Sequence, residues 1–169
     1  AGEGLEEYNA AQRAEIDEKF KRIVAGHKFA HTVEEVVALC DEIVNHVEVL
    51  PDGRIGPGTI AIDTETTSLH PDKEGSRLIA FCFSWGEGLS TAFRFDHPFA
   101  PQEYLDCLAD LVAAVGRVLA CPKPKTFHNA KFDLKWIELA YKMPVANVAW
   151  CSMCGEHLLD EDKKGHYGL

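Results

Sequence analysis

Asp63, Glu65 and Asp133 are the residues of this chain best placed by type and spacing to do chemistry. Asp63 and Glu65 end the apolar run Ile60-Ala61-Ile62, which reads as a buried strand delivering two carboxylates at its exposed tip. Side chains alternate along a strand, so Asp63 and Glu65 share one side and Thr64 faces away. Two like charges held that close repel unless a cation sits between them. Hard divalent ions such as Mg²⁺ take oxygen ligands of this kind. Asp133 follows in His128-Asn129-Ala130-Lys131-Phe132-Asp133, at the start of a predicted helix. Three acids on separate elements point to metal-dependent phosphodiester cleavage. Each motif alone is weak, because a strand-end acid needs no function and Asp133 suits the helix dipole by itself. Their joint appearance, in order, lifts both.

The elements that position these acids are legible from periodicity and turn residues. Thr59–Asp63 is predicted as a strand, and Leu78–Trp85 with Leu89–Phe95 as a hairpin around Gly86-Glu87-Gly88. Pro101 to Val118 has helical apolar spacing through Tyr104, Leu105, Leu108, Leu111, Val112 and Val115. Lys125–Phe127 is a short strand, after which Asn129 caps a helix to Tyr141. Asn147–Ala149 is a further short strand and Cys151–Leu159 a helix. Upstream, Thr32-Val33-Glu34-Glu35 is a capping box opening a helix through Asn45. Residues 3–24 read as an amphipathic helix, with Leu5, Tyr8, Ile16, Phe20 and Ile23 roughly on one side. Pro51 to Gly58 reads as a turn-rich linker, with the nuclease-like core expected just after it. Strands followed by alternating helices and strands give a mixed α/β sheet flanked by helices.

Composition narrows the class. The chain has 169 residues, 46% of them hydrophobic and 26% charged, which is ordinary for a soluble domain with a core. No apolar run approaches a membrane span, so no membrane partner is expected. The polar, acidic stretch from Ala1 to Phe20 is not a secretory signal, and the first residue, not Met, points to processing or an excised piece. The six cysteines are read mostly as small buried hydrophobes in a reducing compartment. Net charge is −10, unhelpful for holding a polyanion. Arg117 to Lys142, however, carries six Lys/Arg against Asp133 and Glu138, either a basic strip for a phosphate backbone or a solvated face. Cys151-x-x-Cys154-x-x-His157, with His166 later, offers a different chemistry: up to four zinc ligands, or a buried helix stripe.

Asp63-Thr64-Glu65-Thr66-Thr67-Ser68-Leu69 resembles the first exonuclease motif of the proofreading domain of family A DNA polymerases, the bacterial polymerase I type. His128 to Lys135 resembles the second, Asn-x-x-x-(Phe/Tyr)-Asp. Cys151 to Asp160, then Gly165 to Leu169, resembles the helix and loop that follow, with Cys-Ser-Met where the family often has Asp-Thr-Met. The resemblance covers residue 33 to the end. It implies a ribonuclease H-like fold, incomplete at its C-terminal side, over residues 32–169, with an N-terminal helical extension over 1–31. It implies 3′→5′ proofreading exonuclease activity on the 3′ end of single-stranded DNA, in the cytoplasm of a bacterial or phage-infected cell. By that likeness Asp63, Glu65 and Asp133 are catalytic and hold two Mg²⁺ or Mn²⁺ ions. Thr66, Leu69, His128, Asn129 and Lys131 contact the substrate, Leu69 by stacking on bases and Asn129 by positioning the strand. The family's third motif, Tyr-x-x-x-Asp, falls beyond Leu169, and Asp160 and Asp162 have the wrong context to replace it. The expectation is therefore the front part of an exonuclease domain, inactive as an isolated chain and removing 3′-terminal nucleotides from DNA only when missing sequence, a polymerase domain or a partner chain completes it. The competing expectations are an inactive nuclease-like scaffold and a zinc-binding interaction module.

Overall fold

The computed structural model describes residues 13, 16–22, 24–100 and 102–159. The elements run β1 (His27–Phe29), α1 (Val33–Asn45), β2 (Glu48–Val49), β3 (Ile55–Gly56), β4 (Ile60–Thr66), β5 (Leu78–Gly86), β6 (Leu89–Arg94), α2 (Gln102–Asp106), α3 (Leu108–Ala120), β7 (Lys125–Phe127), α4 (Ala130–Tyr141), β8 (Val148–Cys151) and α5 (Ser152–Leu159). Six strands form one sheet in the order β1-β6-β5-β4-β7-β8. β4, β5 and β6 are antiparallel, while β1 joins β6, and β7 and β8 join β4, in parallel. This is a mixed α/β sheet flanked by helices.

Alternation along the central strands sorts the two faces. Ile60, Ile62, Phe81, Phe83, Trp85 and Phe93 are buried on one face. Helices α1, α3 and α4 supply buried partners there, among them Val36, Ile43, Leu111, Val115, Trp136 and Ile137. Phe95 meets Phe81 edge-on at 5.1 Å and Tyr141 at 4.8 Å, tying α4 to the sheet through aromatic pairs. The other face carries small or polar residues, Ala61, Asp63, Cys82 and Ala92 among them.

Several elements differ from the sequence reading. The capping box forms: Thr32 Oγ1 accepts from Glu35 N at 3.2 Å, while the Glu35 carboxylate accepts from His31 N at 2.7 Å. The helix it opens is part of the core, with Val36, Cys40 and Ile43 fully buried, so the core does not wait for the Pro51–Gly58 stretch. That stretch is no plain linker, because β2 and β3 pair antiparallel across a turn in which Gly53 takes φ +80°. β1, within the span assigned to the N-terminal extension, pairs with β6 and was not anticipated. The helix predicted over Pro101 to Val118 is broken at Cys107 (φ −109°, ψ 26°). In the short helix before the break, the buried Tyr104 donates its hydroxyl to Ala30 O at 3.0 Å.

Of the expected N-terminal helix, residues 16–22 and 24–25 are helical, and Ile16 and Phe20 are exposed; Leu5, Tyr8 and Ile23 lie outside the described residues. No helix among the described residues is long and apolar enough to cross a membrane. Of the six cysteines, Cys40 and Cys121 are buried, Cys82, Cys107 and Cys151 are half-buried and Cys154 is exposed, so the expectation that most are buried is corrected.

Candidate active site

Strand β4 delivers Asp63 and Glu65 to its open face and Thr64 to its buried one. Their shared side is also visible electrostatically. Cys82 pairs with Asp63 across the sheet, and its thiol is pushed up to about 11, by burial first and then by the charges of Asp63 and Glu65.

Asp133 arrives by a different route. β7 pairs with β4 only at Ile60↔Lys125 and Ala61↔Thr126, so β4 has an open edge beyond Ala61. α4 starts just after β7 and places Asp133 against that edge, 2% exposed. Its Oδ1 accepts from Thr64 N at 3.1 Å and from Thr64 Oγ1 at 2.6 Å. The carboxylate therefore stands in for a missing strand partner. Burial pushes its pKa up to about 6; the Thr64 hydrogen bonds pull it down and the charge of Asp63 pushes it up further. Asp63 and Asp133 are thus within electrostatic reach, although Asp133 is hydrogen-bonded to the residue whose side chain lies on the opposite face.

The remaining site residues divide by what they touch. Leu69 is 77% exposed beyond the end of β4. Thr66 Oγ1 donates to Ser68 O at 2.9 Å and so builds the loop that carries Leu69. His128 Nδ1 and Ser152 Oγ share a hydrogen bond of 2.8 Å. Lys131 is exposed on the first turn of α4. Asn129 stands at the N-cap position, but in the left-handed conformation (φ 52°, ψ 50°) and with no side-chain capping bond, which corrects the expected cap. Its carbonyl instead accepts from Phe132 N at 2.8 Å. A left-handed Asn is tolerated because its short polar side chain costs less there than a bulky one.

The basic strip does not form as a strip. Lys123 and Lys125 are buried, and their ammonium groups are spent on backbone carbonyls: Lys123 on Ile43 O at 2.8 Å and on His46 O, Lys125 on Cys121 O. Arg117 pairs with Asp41 at 2.8 Å. Only Lys131, Lys135 and Lys142 of that window are exposed lysines.

An open groove of about 610 Å³ runs across the small-residue face, lined by Asp63, Cys82, Thr91, His128, Trp150 and Ser152 among others. Thr64, Cys82, Trp150 and Ser152 were not singled out from sequence as functional. The Thr64–Asp133 bond spans 69 residues and follows from where β7 ends, which no local pattern announces. For a divalent cation the donor chemistry fits: the candidates are carboxylate oxygens, and the repulsion between Asp63 and Asp133 is of the sign a cation would relieve. Among the described residues, however, no group of three or more His, Cys, Asp or Glu is placed to hold a metal. The same holds for the zinc alternative, whose His166 lies with the rest of residues 160–169 outside the described residues.

A family model described as 3′-5′ exonuclease, that of A-type DNA polymerases, matches residues 28–169. The chain belongs to this 3′-5′ exonuclease family. Among solved structures, it is similar to the catalytic core of RRP6 from Trypanosoma brucei, 18% identical with a TM-score of 0.53, over 79% of this chain and 31% of that one. It is similar to Brucella melitensis NrnC with bound Mg²⁺, 23% identical with a TM-score of 0.46, over 66% and 49%. It is also similar to the POL domain of Pol1 from M. smegmatis in complex with DNA primer-template and dNTP, 16% identical with a TM-score of 0.48, over 78% and 19%. The chain thus spans less than half the length of these structures. Comparison with curated proteins gave no match. The likeness to the RRP6 core agrees with the ribonuclease H-like sheet expected from the motifs.

Proposed function

We propose that this exonuclease is the front portion of a two-metal proofreading domain, removing 3′-terminal nucleotides from single-stranded DNA once further sequence or a partner chain, of polymerase type, supplies a fourth carboxylate. One observation carries the reading. Asp63, at the middle of β4, and Glu65, near its end, share its exposed face, and Asp133 meets the same strand at its open edge.

In this reading Asp63, Glu65 and Asp133 hold Mg²⁺ or Mn²⁺, which when bound supplies a Lewis acid that lowers the pKa of water and offsets charge on the phosphate. Asp133 ionises more readily with a cation beside it, and Thr64 keeps its carboxylate oriented at the strand edge. Leu69, exposed and apolar, stacks against terminal bases. Thr66 fixes the loop beneath it. His128, Asn129 and Lys131 line the approach to α4, where Lys131 meets a phosphate.

The test is a 5′-labelled single strand incubated with Mn²⁺ and the chain, alone and with its completing partner. A ladder shortened from the 3′ end is expected in the completed complex and only weakly, or not at all, from the chain alone. Asp63→Ala should lower the rate by at least about 100-fold, as loss of transition-state charge stabilisation does. Silence in the completed complex overturns the reading. That outcome favours the alternative of an inactive scaffold for DNA or protein docking.

A further inference from the structure

Cys151 ends β8 and Cys154 lies in the first turn of α5, with Ser152 and Met153 between them. The Cys151 sulfur accepts from Ala130 N at 3.4 Å, and Ala130 is the first residue of α4. The neighbouring amides of Met153 and Cys154 and the Cys154 thiol also favour its anionic form. The sulfur therefore sits where the N-termini of two helices converge, both with their positive ends toward it. An anion is favoured there, and a thiol held there ionises more easily. Burial opposes this, yet the hydrogen bonds from Ala130, Cys154 and Met153 outweigh it and the Cys151 pKa is lowered. Cys154 is exposed, and its pKa is raised, first by the hydrogen bond it donates to Cys151 and then by the charge there. The other cysteines with shifted values go the opposite way: burial pushes Cys40 up to about 12 and Cys82 up to about 11, and raises Cys107.

We propose that Cys151 and Cys154 are a thiol–disulfide exchange couple for small-molecule disulfides, with Cys151 attacking and Cys154 resolving. The Cys151 thiolate attacks one sulfur of a disulfide RSSR, forming a mixed disulfide and releasing RS⁻. Cys154 loses its proton to the departing thiolate and attacks the Cys151 sulfur, forming the Cys151–Cys154 bond and releasing the second RS⁻. The chain gives up two protons and two electrons, and RSSR is reduced to two RSH. The spacing allows this bond, because Cys151 and Cys154 are three residues apart across the start of α5, the separation that places two side chains on one side of a first helical turn. A zinc site would use the same two thiols together with further ligands. The reacting sulfur also holds the first amide of α4, one turn before Asp133, so the reaction exchanges an anionic acceptor for a neutral one at the start of the helix that carries the site.

The experiment uses the whole reduced chain. Iodoacetamide labelling at neutral pH, followed by peptide mass spectrometry, should find Cys151 alkylated at least about tenfold faster than Cys40, Cys82 or Cys107. With glutathione disulfide, the wild-type chain should form the Cys151–Cys154 bond and release both glutathione halves. Cys154→Ser should trap glutathione on Cys151, and Cys151→Ser should give neither product. Labelling of Cys151 at the rate of the other three cysteines overturns the proposal without any variant. So does a wild-type chain that keeps glutathione on Cys151 unresolved, or a folded Cys154→Ser chain that remains unmodified.

Discussion

Asp133 is a strained resident of the site. Its folded pKa of about 6 lies above the ordinary value of 3.8, so the folded chain keeps a proton that the unfolded chain releases between those values. Stability from this group is fully present below pH 3.8 and is lost as pH rises to 6. The loss amounts to on the order of 3 kcal/mol, at about 1.4 kcal/mol per pKa unit. Asp133→Asn, measured by urea unfolding in chelator, should therefore stabilise the chain at pH 8 by roughly 1–3 kcal/mol. At pH 4 it should leave stability nearly unchanged; parallel pH profiles for variant and wild type would contradict this. Thr64→Val acts in the other direction. It removes a donor to a charged group, worth about 1.5–3 kcal/mol. The cost should be greater at pH 8, where the carboxylate is ionised, than at pH 4. At this scale the sequence made Asp63 and Glu65 legible, since alternation alone puts them on one side. Thr64 was not legible as the partner of Asp133, because alternation says only that it faces inward.

The elements were readable in proportion to their length. β4, β5, β6, α3 and α4 are long enough to show a period, and most of their large apolar residues face the core, Leu139 being an exception. β1 has three residues and pairs at a sheet edge, where Thr91 Oγ1 donates to Lys28 O at 2.7 Å; three residues cannot display alternation. β2 and β3 have two residues each and sat under turn signals that were real, since the turn is there. No proline or glycine marks the helix break at Cys107, and the Tyr104 hydroxyl on Ala30 is a tertiary contact that no local pattern announces. Packing between β8 and α5 rests on a glycine. A Cβ on Gly155 would stand 2.3 Å from Trp150 Cζ2 and 2.8 Å from Cη2. The Trp150 ring is half-exposed and has room to swing, so Gly155→Ala should cost only about 1 kcal/mol. Its clearer readout is a shift in tryptophan emission as the indole leaves its place beside the groove.

For the molecule as a whole, charge mislead where burial was unknown. Counting Lys123 and Lys125 as a nucleic-acid surface treated them as solvated, whereas both hold backbone carbonyls in the core. Lys131→Ala should weaken single-strand binding evenly across sequences and reduce the salt slope by roughly one, as loss of one phosphate contact does. Lys125→Met should lower thermal stability instead, through Cys121 O left without its donor. Divalent cations should bear on the whole fold. Mg²⁺ at 100 times its dissociation constant adds about 2.7 kcal/mol to stability. That gain, read as a rise in melting temperature over chelator, should be larger at pH 7.5 than at pH 5 and should vanish in Asp63→Ala.

Most amides of a central strand are tied to another strand, and their exchange with solvent deuterium waits for the sheet to open. The Thr64 amide is tied to a carboxylate that gains and loses a proton near pH 6. Its nitrogen and proton resonances should consequently move with the titration, while those of neighbouring strand residues stay still. One backbone signal in a heteronuclear spectrum would then follow proton or cation occupancy at Asp133, with no nucleic acid in the tube.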